Sequence, residues 1–272
     1  MLTFKDVFVS LNDNRILEGV NYKFKKNTIY GLLGPNGAGK TTFFKSILGV
    51  IKYSGSIEIT SSNIGHLIEY PAFYANLTCE ENLNMHAKYI GHINLDVDQL
   101  LLKVDLLEVK NKKFKNLSMG MKQRLGIARS LIGNSDLILL DEPSNGLDPF
   151  GIKDIRNIIL NDVKKKNRIT IVSSHILHEI SEFTDIFIFI KDGRIISHLK
   201  NTGCYSMIKT KDLHSINIKQ KDEFSVIKGN GYYYIIGDYD NLVLHDKNIN
   251  KMTIEDIYIY IMKLNIEEVF LK

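Results

Sequence analysis

Apolar and polar positions alternate through "LTFKDVFVSL" (2–11), break at "NDN" (12–14), and resume as strand up to "TIYGLLG" (28–34). The period then changes. In "KTTFFKSILGV" (40–50), Phe44, Ile47 and Leu48 recur at helical spacing, which predicts a helix. Short strands are predicted at "SGSIEIT" (54–60) and "NIGHLIE" (63–69). From Thr78 to about Leu107 the pattern is helical and more polar, and Thr78 with Glu81 three residues later forms a capping box. "GMKQRLGIARSLIG" (120–133) reads as a helix, and the continuous apolar run "LILLD" (137–141) suits a central parallel strand covered on both faces. A second alternation follows: helix 150–166, strand "ITIVSS" (169–174), helix 175–183, strand "IFIFIKDGRII" (186–196). Strand–helix–strand order with apolar strands argues for a mainly parallel α/β sheet.

From about Leu199 the composition shifts. Residues 201–251 are polar with short β-like pieces at "HSINIKQ" (214–220), "GYYYIIG" (231–237) and "LVLHD" (242–246). A helical piece, "TIEDIYIYIMKLNIEEVFLK" (253–272), closes the chain. The division expected is a large unit at 1–200, with a helical part at about 76–135, and a small C-terminal α/β appendage at 201–272. The four prolines, Pro35, Pro71, Pro143 and Pro149, all read as loop residues.

The bulk numbers narrow the function class. The 272 residues are 44% hydrophobic and 24% charged, which is ordinary globular material. A net charge of +4 with dispersed lysines does not point to nucleic acid; the densest run, "KKK" (164–166), reads as a solvated helix end. Cys79 and Cys204 stand far apart with no metal-ligand spacing, which fits a reducing compartment. The N-terminus does not read as a signal peptide, and no apolar run is long enough to span a bilayer. Any membrane role is therefore expected to come through a partner.

"GPNGAGKTT" carries the chemistry. Gly34, Pro35, Asn36, Gly37, Ala38, Gly39, Lys40, Thr41 and Thr42 match G-x-x-x-x-G-K-[ST], with strand before and helix after. Glycines let the backbone wrap a phosphate, and successive N–H groups at a helix N-terminus attract the anion. Lys40 supplies a point charge for the β and γ phosphates, Thr41 is the expected Mg²⁺ ligand, and Thr42 supports the α phosphate. Asp141, ending "LILLD", suits the second half of such a metal site, and Glu142 suits a general base for the attacking water. Glu69 raises its own question: a carboxylate at the end of an apolar run needs water or a partner.

"LSMGMKQR" (117–124) resembles the signature motif of ATP-binding-cassette (ABC) ATPases, "SNGLDP" (144–149) resembles their D-loop, and "SSH" (173–175) their switch histidine. The order of motifs fits that family over roughly residues 2–198. The resemblance implies a P-loop NTPase of ABC type, with a parallel-sheet core, an antiparallel β subdomain and a helical subdomain, plus the C-terminal appendage. It implies ATP and Mg²⁺, and a head-to-tail homodimer formed on ATP binding. In that dimer Ser118 and Gly120 meet the γ phosphate held by the other copy's Lys40, and Asp148 acts across the interface. His175 contacts the γ phosphate and holds Glu142 in register.

Three departures stand out. The position where the family stacks adenine on an aromatic falls on Leu11, with Ile16 as a further apolar surface and Phe8 the nearest aromatic. The signature's trailing Gln is Met121. Most ABC ATPases carry Gln 29 residues after the P-loop Lys, where this chain has Glu69, expected as an oxygen ligand at the Mg²⁺ edge and as water-facing when no nucleotide is bound. The phrase "IGHLIEYPAFYANLTCEENL" and "SMGMKQRLGIA" are similar to ATPase subunits of bacitracin-type and lantibiotic-immunity transporters. That subgroup implies export of antimicrobial peptides through separate membrane permeases docking near Tyr70–Asn76, with the chain in the cytoplasm, peripheral on the inner face of the cell membrane. Another drug or lipid as cargo, and a soluble non-transport ABC ATPase, are the alternatives. The latter usually has two cassettes or a long coiled coil, and only 48 residues separate Glu69 from Ser118.

Overall fold

The computed structural model describes residues 1–61, 63–133, 135–163, 168–213, 224–243 and 249–270. The chain runs β1 (Leu2–Leu11), β2 (Asn14–Phe24), β3 (Thr28–Leu33), α1 (Lys40–Ile47), β4 (Ser54–Ile59) and β5 (Ile64–Leu67). Then come α2 (Cys79–Tyr89), α3 (Val97–Lys103), α4 (Met119–Ser130), β6 (Leu137–Asp141) and α5 (Pro149–Ile158). They are followed by β7 (Ile169–Ser174), α6 (Leu177–Ser181), β8 (Ile186–Lys191) and β9 (Arg194–Lys200). The C-terminal unit holds β10 (Tyr205–Thr210), β11 (Phe224–Gly229), β12 (Tyr232–Asp238), α7 (Tyr239–Val243), α8 (Ile254–Lys263) and β13 (Ile266–Phe270).

Three sheets result. The central one has the order β5-β6-β7-β3-β8-β9, parallel except for the antiparallel edge β9. Its middle strands are buried along their length, as their unbroken apolar runs require. An antiparallel sheet, β2-β1-β4, packs over α1, and α2, α3 and α4 form the helical part. These are the parallel core, antiparallel β subdomain and helical subdomain that the sequence implies. The third sheet, β10-β12-β11-β13, is antiparallel.

The helix that carries the cradle is held from both sides. Phe43 and Phe44 are fully buried, and Phe43 stacks on Phe4 of β1 at 4.5 Å. Burying each such ring stabilises by roughly 2–3 kcal/mol, so α1 is a firm base for the loop in front of it. The C-terminal unit has a small cluster of its own around Ile208, Phe224, Ile235 and Leu242. Its larger apolar face, with Ile227, Tyr234, Ile257 and Ile261, belongs to the same core cluster as Phe189 and Leu199 of the main sheet. The appendage is thus built onto the core of the main sheet rather than tethered beside it.

Several boundaries differ from the sequence pattern. "IFIFIKDGRII" is a hairpin, β8 turning into β9 at Asp192 and Gly193, both with positive φ (46° and 75°). The span Thr78–Leu107 breaks into α2, α3 and a 3₁₀ turn at Leu107–Val109, although the Thr78–Glu81 capping box forms as expected. The closing piece is helical only to Lys263. Leu264 turns extended, and Ile266–Phe270 then pair with the open edge of β11. Pro149 opens α5 at its first turn, where a missing N–H costs nothing, instead of lying in a loop. The helix predicted at 150–166 is α-helical to Ile158, then continues as a π turn at Ile159–Val163. The run 164–166, the piece 214–220 and residues 244–246 of the 242–246 piece lie outside the described residues, while Leu242 and Val243 end α7.

Candidate functional site

The cradle begins where β3 ends. Gly37 and Gly39 sit at φ 81° and 101°, in the region that residues with a Cβ rarely adopt, and Gly39 is the N-cap of α1. Ala38 N–H donates to the Pro35 carbonyl at 3.1 Å, closing the loop on itself. Lys40 is buried (7% exposed), and its Nζ donates to the Gly34 carbonyl at 2.7 Å and to the Pro35 carbonyl at 3.3 Å. A buried ammonium held by carbonyls at the N-terminus of α1 suits an incoming polyphosphate. Thr42 is the third residue of α1 and half-buried.

The acidic pair stands opposite, at the carboxyl end of β6. The Thr41 hydroxyl donates to Asp141 Oδ2 at 2.7 Å, and the Ser173 hydroxyl donates to Asp141 Oδ1 at 2.6 Å. Ser173 Oγ also accepts the Glu142 N–H at 2.9 Å, so one buried serine fixes both acidic residues. Glu142 has φ 48°, an unusual backbone for a non-glycine residue, held by that bond and by its side-chain partners. Its Oε1 lies 3.5 Å from Lys40 Nζ, and its Oε2 lies 2.7 Å from His175 Nδ1 and accepts the His175 N–H at 3.3 Å. An ionised carboxylate only accepts, so Nδ1 carries the proton in this arrangement.

Thr41 and Asp141 therefore present two oxygen donors at one point. That donor set fits Mg²⁺, which takes one or two protein oxygens and completes its shell with phosphates and water. The structure does not bring Glu69 to them. Glu69 sits at φ 59° after β5 with a 61% exposed side chain, and its Oε1 pairs with Lys45 Nζ of α1 at 2.6 Å. Its partner is a lysine rather than water alone.

Ser118, Gly120 and Asp148 form a second group. They line an open groove of about 410 Å³ with Leu147 and Phe150, the latter 80% exposed. Ser118 N-caps α4 by accepting from Met121 N–H at 3.3 Å, and Asp148 N-caps α5 by accepting from Gly151 N–H at 2.9 Å. Among the described residues no hydrogen bond or ion pair joins this group to Lys40, Thr41, Asp141 or Glu142.

Leu11 is 44% exposed at the β1–β2 turn. Ile16 is half-buried, and its carbonyl lies against Gly39 and Gly193. Phe8 packs over Gly19, which makes it structural. The "SSH" motif points to His175 and by itself gives Ser173 no role. The signal was there: a serine in an otherwise apolar central strand, in register with Asp141. Asn82 was also missed. It is 3% exposed, accepts from Tyr74 N–H and donates to the Tyr74, Leu77 and Thr78 carbonyls, pinning the loop after Glu69 to α2. Arg129 reaches the same loop, donating to the Ala72 carbonyl at 2.7 Å and lying 4.7 Å over the Phe73 ring.

A family model described as ABC transporter matches residues 17–145. An uncharacterised ABC transporter ATP-binding protein of Bacillus subtilis is 44% identical over 68% of this chain. The chain spans 64% of that relative's length, just under two thirds. A bacitracin transport ATP-binding protein of Bacillus licheniformis is 37% identical over 86% of this chain and 80% of its own. A lantibiotic transport ATP-binding protein of Streptococcus pyogenes is 40% identical over 75% and 92%. Among solved structures, an ATP-binding subunit of an ABC transporter superposes with a TM-score of 0.65 at 27% identity, covering 73% of this chain and 89% of that one.

Proposed function

This chain belongs to the ATP-binding subunits of ABC transporters, and from that premise we propose that it hydrolyses ATP to drive an exporter of antimicrobial peptides. The observation that carries the hydrolytic part is the meeting of Thr41–Asp141 and Lys40–Glu142–His175 in front of one P-loop. The peptide class rests on the bacitracin and lantibiotic transport relatives.

The residues divide the work. The backbone N–H groups that follow Pro35 in the loop cradle the phosphates, and Lys40 exchanges its carbonyl partners for phosphate oxygens. Thr41 and Asp141 would hold Mg²⁺, which would offset charge on the phosphate oxygens. Glu142, released from Lys40 by that exchange, accepts the proton of the attacking water. His175 keeps the Glu142 carboxylate oriented through Nδ1. Asp141 is fixed independently by Ser173, so metal and base keep separate supports.

Ser118, Gly120 and Asp148 serve the nucleotide of a second copy in a head-to-tail dimer. Their separation from this copy's own cradle and the α4 N-terminus behind Ser118 support that role. Among the described residues no helix is long and apolar enough to cross a membrane. The bacitracin and lantibiotic transport relatives support work on the cytoplasmic face of the membrane, through permease subunits. Exposed Tyr70, Tyr74, Tyr89 and Ile93 beside and within the helical part offer an apolar surface for them.

The test has two arms. The purified chain should release phosphate from Mg-ATP. Sensitive cells expressing it with its permeases should then survive bacitracin or a lantibiotic. Phosphate release with protection only against an unrelated drug would remove the peptide class and leave the ATPase standing.

A further inference from the structure

The β8–β9 turn of the main sheet links the C-terminal unit to the phosphate cradle. On its inner side, the β8–β9 turn is part of the cradle's wall. Gly193 N–H donates to the Ala38 carbonyl at 3.2 Å, and the Gly193 carbonyl accepts the Glu18 N–H at 3.0 Å. The Ile190 carbonyl crowds Gly34 so closely that a Cβ there would lie 2.3 Å away, a contact no side chain survives. On its outer side the same turn is gripped by α8. Lys191 Nζ donates to the Met262 carbonyl at 2.9 Å and to the Leu264 carbonyl at 2.7 Å. An ammonium on the last carbonyls of a helix is favourable twice over, by hydrogen bonding and by the helix dipole. Lys191 lies between Ile190 and the Asp192–Gly193 turn, so the grip and the cradle contacts share three consecutive peptide units.

Helix α8 is in turn fixed to the rest of the C-terminal unit. Ile257 and Ile261 are fully buried, and the Tyr260 ring lies 5.6 Å from Tyr234 of β12. Its Tyr258 approaches the catalytic edge itself. That ring lies 6.2 Å from Phe189 of β8, and its phenol is held above the ordinary range by burial first and by the negative charge of Glu142 second.

We propose that Lys191 is a positioning residue for the phosphate cradle: by clamping the end of α8 to the β8–β9 turn, it makes the C-terminal unit set where Gly34–Ala38 stand, and so how tightly nucleotide binds. This gives residues beyond 204 a role inside the ATPase. It also gives anything that displaces the C-terminal unit, such as a permease or a cargo, a direct route to nucleotide affinity. The inference rests on the ATPase reading above.

The test is an equilibrium titration with Mg-ADP, which involves no turnover, on the full chain and on Lys191→Met and Lys191→Arg. Steady-state ATPase assays and thermal melts accompany it. Titrations run well below each melting temperature, and turnover is expressed per nucleotide-binding site. Lys191→Met keeps the apolar stem and removes the charge. Its Kd and KM should rise by about fivefold or more, with kcat per site within about twofold, since a lost charged hydrogen bond shifts the cradle without touching the reacting groups. Lys191→Arg should restore most of the affinity, because it keeps a cation at the carbonyls. A Kd for Lys191→Met equal to the wild-type value, whatever its melting temperature, would overturn the proposal and leave Lys191 as a fold-stabilising contact. If the wild-type chain itself bound no nucleotide, the ATPase reading would fall instead, so the two failures are distinguishable.

Discussion

The Ser173 hydroxyl lies between the two acidic residues of the site, donating to Asp141 at 2.6 Å and accepting from the Glu142 N–H at 2.9 Å. Ser173 is fully buried, and Asp141 is 4% exposed. Replacing Ser173 with Ala leaves a buried carboxylate oxygen and a backbone N–H without that partner. The expected loss is about 1–3 kcal/mol of stability, read from urea unfolding. Turnover should fall as well, because Glu142 loses the bond that helps hold its φ of 48°. Unchanged stability together with unchanged turnover would mean that the bridge has no bearing on the site.

The partner of His175 in the structure is the Glu142 carboxylate, bonded through both Nδ1 and the His175 N–H. His175→Ala should therefore lower kcat by about a hundredfold, the scale of a general acid–base contribution, while ATP affinity stays within a few-fold of wild type. Stopped-assay turnover and equilibrium titration separate the two. A large loss of affinity with kcat preserved would assign His175 to binding instead.

Glu69 pairs with Lys45 across an exposed surface, with side chains 61% and 33% accessible. Such a pair is worth under about 1 kcal/mol, so Glu69→Gln should barely move the melting temperature. ATP binding should persist, and transport coupling should change more than basal hydrolysis. Membrane vesicles containing the permeases, assayed for both turnover and transport, check this. A collapse of basal turnover with normal coupling per ATP would contradict it.

Acid should weaken the fold before the carboxylates titrate. His86 is depressed to about 4, by burial first and then by the charges of Arg129 and His66, and His66 is itself lowered by burial. Below its unfolded value near 6.5 the unfolded chain binds the proton more readily, so stability is full above about pH 6.5 and falls as pH drops toward 4. Urea midpoints at pH 7.5 and 5.0 measure the loss. His86→Gln should shrink the difference between the two; an unchanged difference would place the acid sensitivity elsewhere.

The motifs of this chain were legible because each is local. Gly34–Thr42 needs only the strand before it and the helix after it, and "LILLD" delivers Asp141 and Glu142 to a strand end by length and apolarity alone. What the sequence hides depends on pairing partners far along the chain. Ile266–Phe270 reads as helix in isolation, yet an open edge on β11 recruits it as a strand. Lys191 looks like one more surface lysine until α8 delivers its final carbonyls to it from about seventy residues away. The Glu69 carboxylate follows the same rule. The local run predicts a strand end, but its ion partner, Lys45, comes from α1, 24 residues earlier in the chain. The positions expected to meet adenine are equally non-local: Leu11 is exposed, and it is the fold that sets the Ile16 carbonyl against Gly39.

In the proposed function Glu142 is the base of an ATPase working between two copies of this chain. The direct measurement is size-exclusion chromatography of Glu142→Gln with Mg-ATP, run beside its phosphate-release assay. The amide keeps the shape and removes the base, so turnover should fall by about a hundredfold or more while an ATP-dependent dimer accumulates. A Glu142→Gln protein that still turns over at the wild-type rate, or that binds ATP and stays monomeric, would contradict the account.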